Sequence, residues 1–334
     1  MRLNGVVRLK RTSFMRSFTA IVAVAGGLAA AYWFGPQLLD EFRAQQYTPS
    51  SHISAIEQRV TLTSAGRRIF YATSPEVQDS GQFNGSCHSV ERTTAILGCY
   101  YRDRIYLYNV QNSELDGALD VTAAHELLHA AYVRLSTFEQ RKVDGLVRAA
   151  YQKVKNEPTL KRLMEYYKQA EPGAEINELH SILGTTIANL DSELERYYAR
   201  YFTNRASIVT LNQRYTQVFS ELDQQATSLK AKISAEESSL KTETDAYQNE
   251  LNQLNSDIQS FNQRAVSGDF SSQEFYAARN VLSGRVAALN RRQNQLNARI
   301  SAYNTMIIEY NKLAVRAQQL NQSMNGVSAP SEVK

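Results

Sequence analysis

The chain has 334 residues, 43% of them hydrophobic and 21% charged, a balance that excludes disorder as the default. A formal net charge of +4, with no basic stripe interleaved with aromatics, excludes a nucleic-acid partner. Six prolines and fifteen glycines are few breakers for this length, and Ala, Leu, Gln, Glu, Lys and Arg are abundant, so a mainly α fold with a minor β part (α+β) is predicted.

Residues 1–16 carry Arg2, Arg8, Lys10, Arg11 and Arg16 and no acid, and Ser17 to Leu39 then carry no charge at all. About twenty apolar residues at about 1.5 Å each cross a hydrocarbon layer of about 30 Å. Tyr32 and Trp33 sit near the far end, where amphipathic rings prefer the interface, and Asp40, Glu41 and Arg43 follow. Residues 1–40 therefore read as a cytoplasmic tip and a single-pass transmembrane helix in the cell membrane, with everything after Asp40 outside the cytoplasm. A cleaved signal peptide is the alternative, since Ala29-Ala30-Ala31 offers small residues for processing.

Residues 41–115 predict a helix near 51–60, then loops rich in Ser, Gly and Asn. Two β-rich runs follow, TAILGCYY and IYLYNV, with Arg102-Asp103-Arg104 between them as a hairpin turn. If the edge of the Ile105–Val110 strand is free, an extended peptide could add to it. The chain's two cysteines, Cys87 and Cys99, lie close together; in an exported chain such a pair forms a disulfide, worth roughly 3 kcal/mol for a loop this short. His88 beside Cys87 is not counted as a metal ligand.

Residues 118 to about 202 read as successive helices with a break at Glu171-Pro172-Gly173. Beyond them Leu222, Ala226, Leu229, Ile233, Glu236, Leu240, Glu243 and Tyr247 follow heptad spacing, which continues through Leu251, Leu254, Ile258, Phe261 and Ala265. A second series runs from Ala278 through Leu282, Val286, Leu289, Gln293 and Leu296 to Tyr310. Each has one extra step of four, at Tyr247–Leu251 and at Leu282–Val286. These steps lie at nearly equal distances from Ser267-Gly268, so residues 204–323 predict an antiparallel coiled-coil helical hairpin with its tip near Gly268. Residues 324–334 predict a disordered tail.

The sharpest chemical signal is DVTAAHELLHAAYVRL. On a helix, with Asp120 as its expected N-cap, His125 and His129 project from one face a turn apart. Two neutral imidazoles so placed can bind one Zn2+, and Glu126 can reach a water at the metal. The later His and Gly of the metzincin pattern are missing. On a following helical stretch, GAEINELHSILGTT, Ile176, Leu179 and Leu183 form the buried stripe and leave Glu175 and Glu178 on another face. His180 projects about 200° away from Glu178. Tyr132, Tyr197, Tyr198 and Tyr201 are candidate phenols for an oxyanion.

Over about residues 118–200 the chain resembles the gluzincin group of HExxH metallopeptidases, in which a glutamate on a later helix completes the site, often after an asparagine as in Asn177-Glu178. The resemblance implies a zincin-like domain over 41–203, with His125, His129 and Glu178 as zinc ligands and Glu126 as general base. The chain departs from the Asn-Glu-x-x-x-Asp form, because Ile182 stands where the acid would be; Ser181 or Asp191 is the substitute expected to orient His125. The function expected is a membrane-anchored zinc peptidase acting on peptide or protein substrates. The alternative is a non-catalytic envelope tether or scaffold whose hairpin meets a protein partner and whose zinc site is structural or decayed.

Overall fold

In a computed structural model, residues 35–87, 97–170 and 173–324 are described. The predicted anchor falls outside these residues except for its last few, and the tail after Met324 falls outside as well. Among the described residues no helix is long and apolar enough to cross a membrane. The fold is mainly helical, with one three-stranded sheet and a long C-terminal helical hairpin. The chain divides after Thr216: one compact unit reaches to Thr216, and a second comprises Gln217–Gln322.

The first unit opens with α1, described over 35–46, and α2 (Ser51–Val60). Then come α3 (Ser64–Ala72), β1 (Glu76–Gln78) and α4 (Ser80–Ser86), three elements that lie where loops were expected. Local chemistry sets the helix starts: Ser50 Oγ accepts from the Ile53 amide, and the Thr63 hydroxyl does the same for Gly66. Strands β2 (Gly98–Tyr101) and β3 (Arg104–Tyr108) form the predicted hairpin. Its two-residue turn places Arg102 and Asp103 at positive φ, the conformation that matches the twist of paired strands.

The sheet order β1-β3-β2 corrects the expectation of a free Ile105–Val110 edge. β3 is central, parallel to β1 and antiparallel to β2, so both of its edges are occupied. Its side chains alternate. Ile105 and Leu107 enter the main core, while Tyr106 and Tyr108 turn to a smaller cluster around Phe83, Cys87 and Cys99. The predicted disulfide joins Cys87 to Cys99 in that cluster.

At the centre lies α5 (Ala118–Val133), packed by α2, α3, α8, β2 and β3. Its apolar residues run right round the helix, the pattern of a fully enclosed helix. The N-cap is Gly117 at φ +98°, not Asp120; that residue sits in the first turn, buried, 3.3 Å from Arg59. α6 (Thr137–Val154) starts with a Ser136–Glu139 capping box. α7 (Pro158–Ala170), α8 (Glu175–Thr186) and α9 (Ser192–Tyr198) complete the body before α10 (Arg205–Ser267). Gly184 lets α8 press onto α5, since a Cβ there would collide with the Leu128 methyl and stand 2.8 Å from the Tyr198 ring.

The second unit holds most of α10 and of α11 (Ser272–Met324). Gly268 turns at φ +74°, and Ser271 caps α11 through Glu274. Arg285 meets Asp257 at 2.5 Å, Arg292 meets Glu250 at 3.0 Å, and Arg299 meets Glu236 at 2.8 Å and also Glu243. The partners step by sevens in opposite directions, which fixes an antiparallel register. That register corrects the matched irregular steps: Tyr247–Leu251 brackets Glu250, opposite Arg292, whereas Leu282–Val286 brackets Arg285, opposite Asp257. They lie a heptad apart because the chain folds back about a loop that extends beyond Gly268. The seam acids Glu236 and Glu243 are explained by Arg299, which both of them meet.

Candidate metal centre

Midway along α5 the apolar surface is interrupted by His125, Glu126 and His129. The helical spacing of four brings the two imidazoles together, with ring centroids 4.7 Å apart and Nε2 atoms 3.0 Å apart. α8 packs against α5 and delivers Glu178, whose Oε1 lies 3.3 Å from His129 Nε2 and whose Oε2 lies 3.5 Å from His125 Nε2. Ligands 2.0–2.1 Å from one ion at tetrahedral angles are spaced by about 3.3 Å. The 3.0 Å between the imidazoles and the 3.3 and 3.5 Å to the two oxygens of the one carboxylate bracket that spacing, and the group could hold a metal ion.

The electrostatics agree with that fit. Glu178 Oε2 is fully buried and accepts no hydrogen bond, a strong acceptor left without a donor. Burial pushes the Glu178 carboxyl up, but the neighbouring His129 and His125 and a bond from Tyr167 outweigh it and hold it at about 2. Burial lowers His129 to about 4, against the pull of Glu178, so its ring is neutral at pH 7. For His125, burial is outweighed by Glu178 and Glu126, which raise it. A carboxylate and two imidazoles thus crowd one small volume, a donor set of the kind that takes a metal cation.

Glu126 is buried and lies against the start of β2. A Cβ at Gly98 would come within 2.5 Å of the Thr122 methyl, 3.1 Å of Glu126 Cγ and 3.2 Å of Glu126 Oε1. Only glycine lets the strand approach this closely, so Gly98 shapes the Glu126 side of the site. The signal for it in the sequence is an isolated glycine inside a strand pattern. Tyr167 on α7, the donor to Glu178, has no such signal in a chain with nineteen tyrosines.

The remaining sequence candidates do other things. Glu175 accepts from the Gly173 amide at 2.8 Å and so closes the turn before α8. His180 is fully buried, its Nε2 3.0 Å from Tyr197 Oη and its ring 5.2 Å from Tyr132; burial drives its pKa well down. It packs a helix. Tyr198 donates to the His180 carbonyl at 2.6 Å and Tyr132 to Asp144 at 2.6 Å, while Tyr201 bonds Tyr197. None of these bonds goes to a ligand of the triangle. Asp191 pairs with Lys153 on the surface at 2.6 Å, and Ser181 Oγ is buried with no partner among the described residues, so neither orients His125.

No protein-family model, curated protein or solved structure matches the chain. What can be said of its chemistry therefore rests on these side chains.

Proposed function

We propose that the chain is a zinc-dependent peptidase of the gluzincin kind, anchored in the cell membrane with its body outside the cytoplasm. One observation carries the reading: α5 and α8 bring two imidazoles and a carboxylate to a single point, with Glu126 beside the first imidazole in the same buried setting. A donor set of two His and one Glu suits catalytic zinc, because it leaves a coordination position open. Zinc there would supply Lewis acidity toward a peptide carbonyl and would lower the pKa of a water it holds to about 7. In this reading Glu126 takes the proton of the attacking water and passes it to the leaving amine nitrogen. His125, His129 and Glu178 hold their positions through the α5–α8 packing, and burial keeps bulk water away.

The test is metal content of the purified full chain against His129→Ala and Glu178→Ala, followed by peptide hydrolysis with Glu126→Gln. One zinc per chain is expected, lost or greatly weakened in both ligand variants. Glu126→Gln is expected to keep the metal and lose roughly 10²–10⁴ in rate. No metal in the intact chain would move the reading to a non-catalytic tether built on the hairpin. Zinc that survives loss of Glu178 would move the third ligand elsewhere.

A further inference from the structure

Helix α1 is built the wrong way round for a helix on a water-washed surface. Its inner side carries the polar groups: Asp40 is buried and takes the Arg134 guanidinium at 2.8 and 3.1 Å, and Arg43 reaches Asp103. Gln37 and Asp40 face a cavity of about 150 Å³ shared with Arg134 and Leu135 of the α5–α6 corner. Its outer side carries Leu38 and Phe42, one turn apart and 66% and 58% exposed, with half-exposed Leu39 beside them. The corner across the cavity continues the theme. Val133 is 50% exposed, and Phe138, in the first turn of α6, is 76% exposed with Arg141 and Lys142 exposed one turn on.

We infer that this end of the body lies flat on a lipid surface, with Leu38, Phe42, Val133 and Phe138 dipping into the headgroup and upper acyl region and Arg141 and Lys142 on anionic headgroups. The inference rests on the membrane-anchor reading and adds to it a second attachment by the folded body, made by Phe42, Val133 and Phe138 beyond the anchor's own last residues. Three observations favour lipid over a protein partner. The uncharged run Ser17–Leu39 ends inside α1, with Leu38 and Leu39 belonging to both, so the chain delivers this end to the bilayer that the anchor reading has it enter. Leu38 and Leu39 lie in the half of α1 nearest that run, Phe42 follows one turn on, and Gln45 and Gln46 close the far end. Arg141 and Lys142 give Phe138 the neighbouring cations that interfacial attachment uses, beside Glu41 and Glu139, which Arg68 and Arg200 approach; such contacts typically reach ~5–10 Å into the boundary. The consequence is a fixed orientation. The buried Asp40–Arg134 pair makes α1 a rigid strut, so the metal centre, nine and five residues before Arg134 on the same helix, is held at a set height above the membrane.

The sequence supplies its own reporter, because Trp33 is the chain's single tryptophan. Full chain in vesicles of phosphatidylcholine and phosphatidylglycerol, with bromine on the acyl carbons near the headgroups, would be read by tryptophan emission. Native chain reports on the anchor through Trp33. The pair Trp33→Phe with Phe138→Trp reports on the corner, and Trp33→Phe with Phe42→Trp repeats the reading on α1 should the first variant misfold. The expected result is emission cut by roughly half by bromolipid at both body positions, with protection from aqueous iodide, as for a side chain at that depth. Quenching of Trp33 with iodide-accessible, unquenched emission from the body positions would overturn this inference and leave the anchor standing. Absence of quenching at Trp33 as well would overturn both.

Discussion

The two units use their leucines and their charges differently. In the body, Leu127, Leu128 and Leu183 are enclosed from every side, and the charges that matter, Asp40, Asp120, Glu126 and Glu178, are buried and held by particular partners. In the hairpin, Leu240, Leu254, Leu289 and Leu296 are covered along a single seam, and the ion pairs with Asp257, Glu250, Glu243 and Glu236 stay partly exposed. One region is specified by irreplaceable single contacts, the other by a weak contact repeated many times. Chemistry that needs three atoms placed to a few tenths of an ångström belongs in the first kind.

The same substitution in each region tests this most directly. Leu128→Ala is expected to destabilise the body by about 2–5 kcal/mol, because α8 and α5 cannot close over the lost volume. Leu289→Ala in the hairpin should fall at or below the low end of that range, since two helices can slide together and water can reach the gap. Hydrogen exchange of amides in each unit reads the two effects separately. Equal losses would break the comparison and give the hairpin a core of its own.

Gly98→Ala follows. Its added methyl meets the Thr122 methyl at 2.5 Å and leans on Glu126, so a loss of about 1–3 kcal/mol is expected, with the metal retained. Thr122→Ser keeps the hydroxyl that bonds the Ala118 carbonyl and deletes the offending methyl. The double variant should recover most of the loss in a urea titration, and a double variant as unstable as Gly98→Ala alone would place the strain elsewhere.

Legibility in the sequence divides along the same line. The hairpin and its tip glycine were readable because heptads repeat, and repetition survives a few polar intrusions. Its register was not, because the hydrophobic pattern is nearly the same a heptad away; the Arg285, Arg292 and Arg299 pairs decide it, and nothing marks those arginines beforehand. In the body, His125 and His129 were readable from the spacing of four on one helix. The step to Glu178 needed a resemblance, since the packing of α8 on α5 depends on Gly184, a contact with no periodic signature. β1, three residues long, paired only through β3, and α4, with its Gly and Ser, carry too little pattern to stand out from loop.

Asp120 gives the pH-dependent contrast. Burial pushes its carboxyl up to about 6 from an ordinary 3.8, against the pull of Arg59. Between those values the folded chain binds a proton that the unfolded chain has released, so this group's contribution to stability is full below pH 4 and is lost as pH rises through 6. Asp120→Asn removes the titration. Relative to the native chain, the variant should gain on the order of 1 kcal/mol between pH 4 and pH 7, allowing for the screening that a partly exposed Arg59 brings. A difference that stays constant across that range would mean that Asp120 is ionised in both states.

The smallest effect is expected where the hairpin pairs its charges. Arg292 and Glu250 lie 3.0 Å apart with both side chains more than a third exposed. Such pairs contribute about 0.2–1 kcal/mol, and like charges opposite one another oppose pairing by a similar amount. Arg292→Glu should therefore lower the hairpin's protection slightly, and adding Glu250→Arg should restore it, because the swapped pair meets at the same height. The swap is more informative than its size suggests: only in this register does Glu250 face Arg292, and in a hairpin shifted by one heptad the double variant would sum two losses. Restoration in hydrogen exchange would fix the alignment of the helices; a doubled loss would show that the pairing shifts in solution and that the leucine seam, with its near-equivalent heptads, does not hold the register without the arginines.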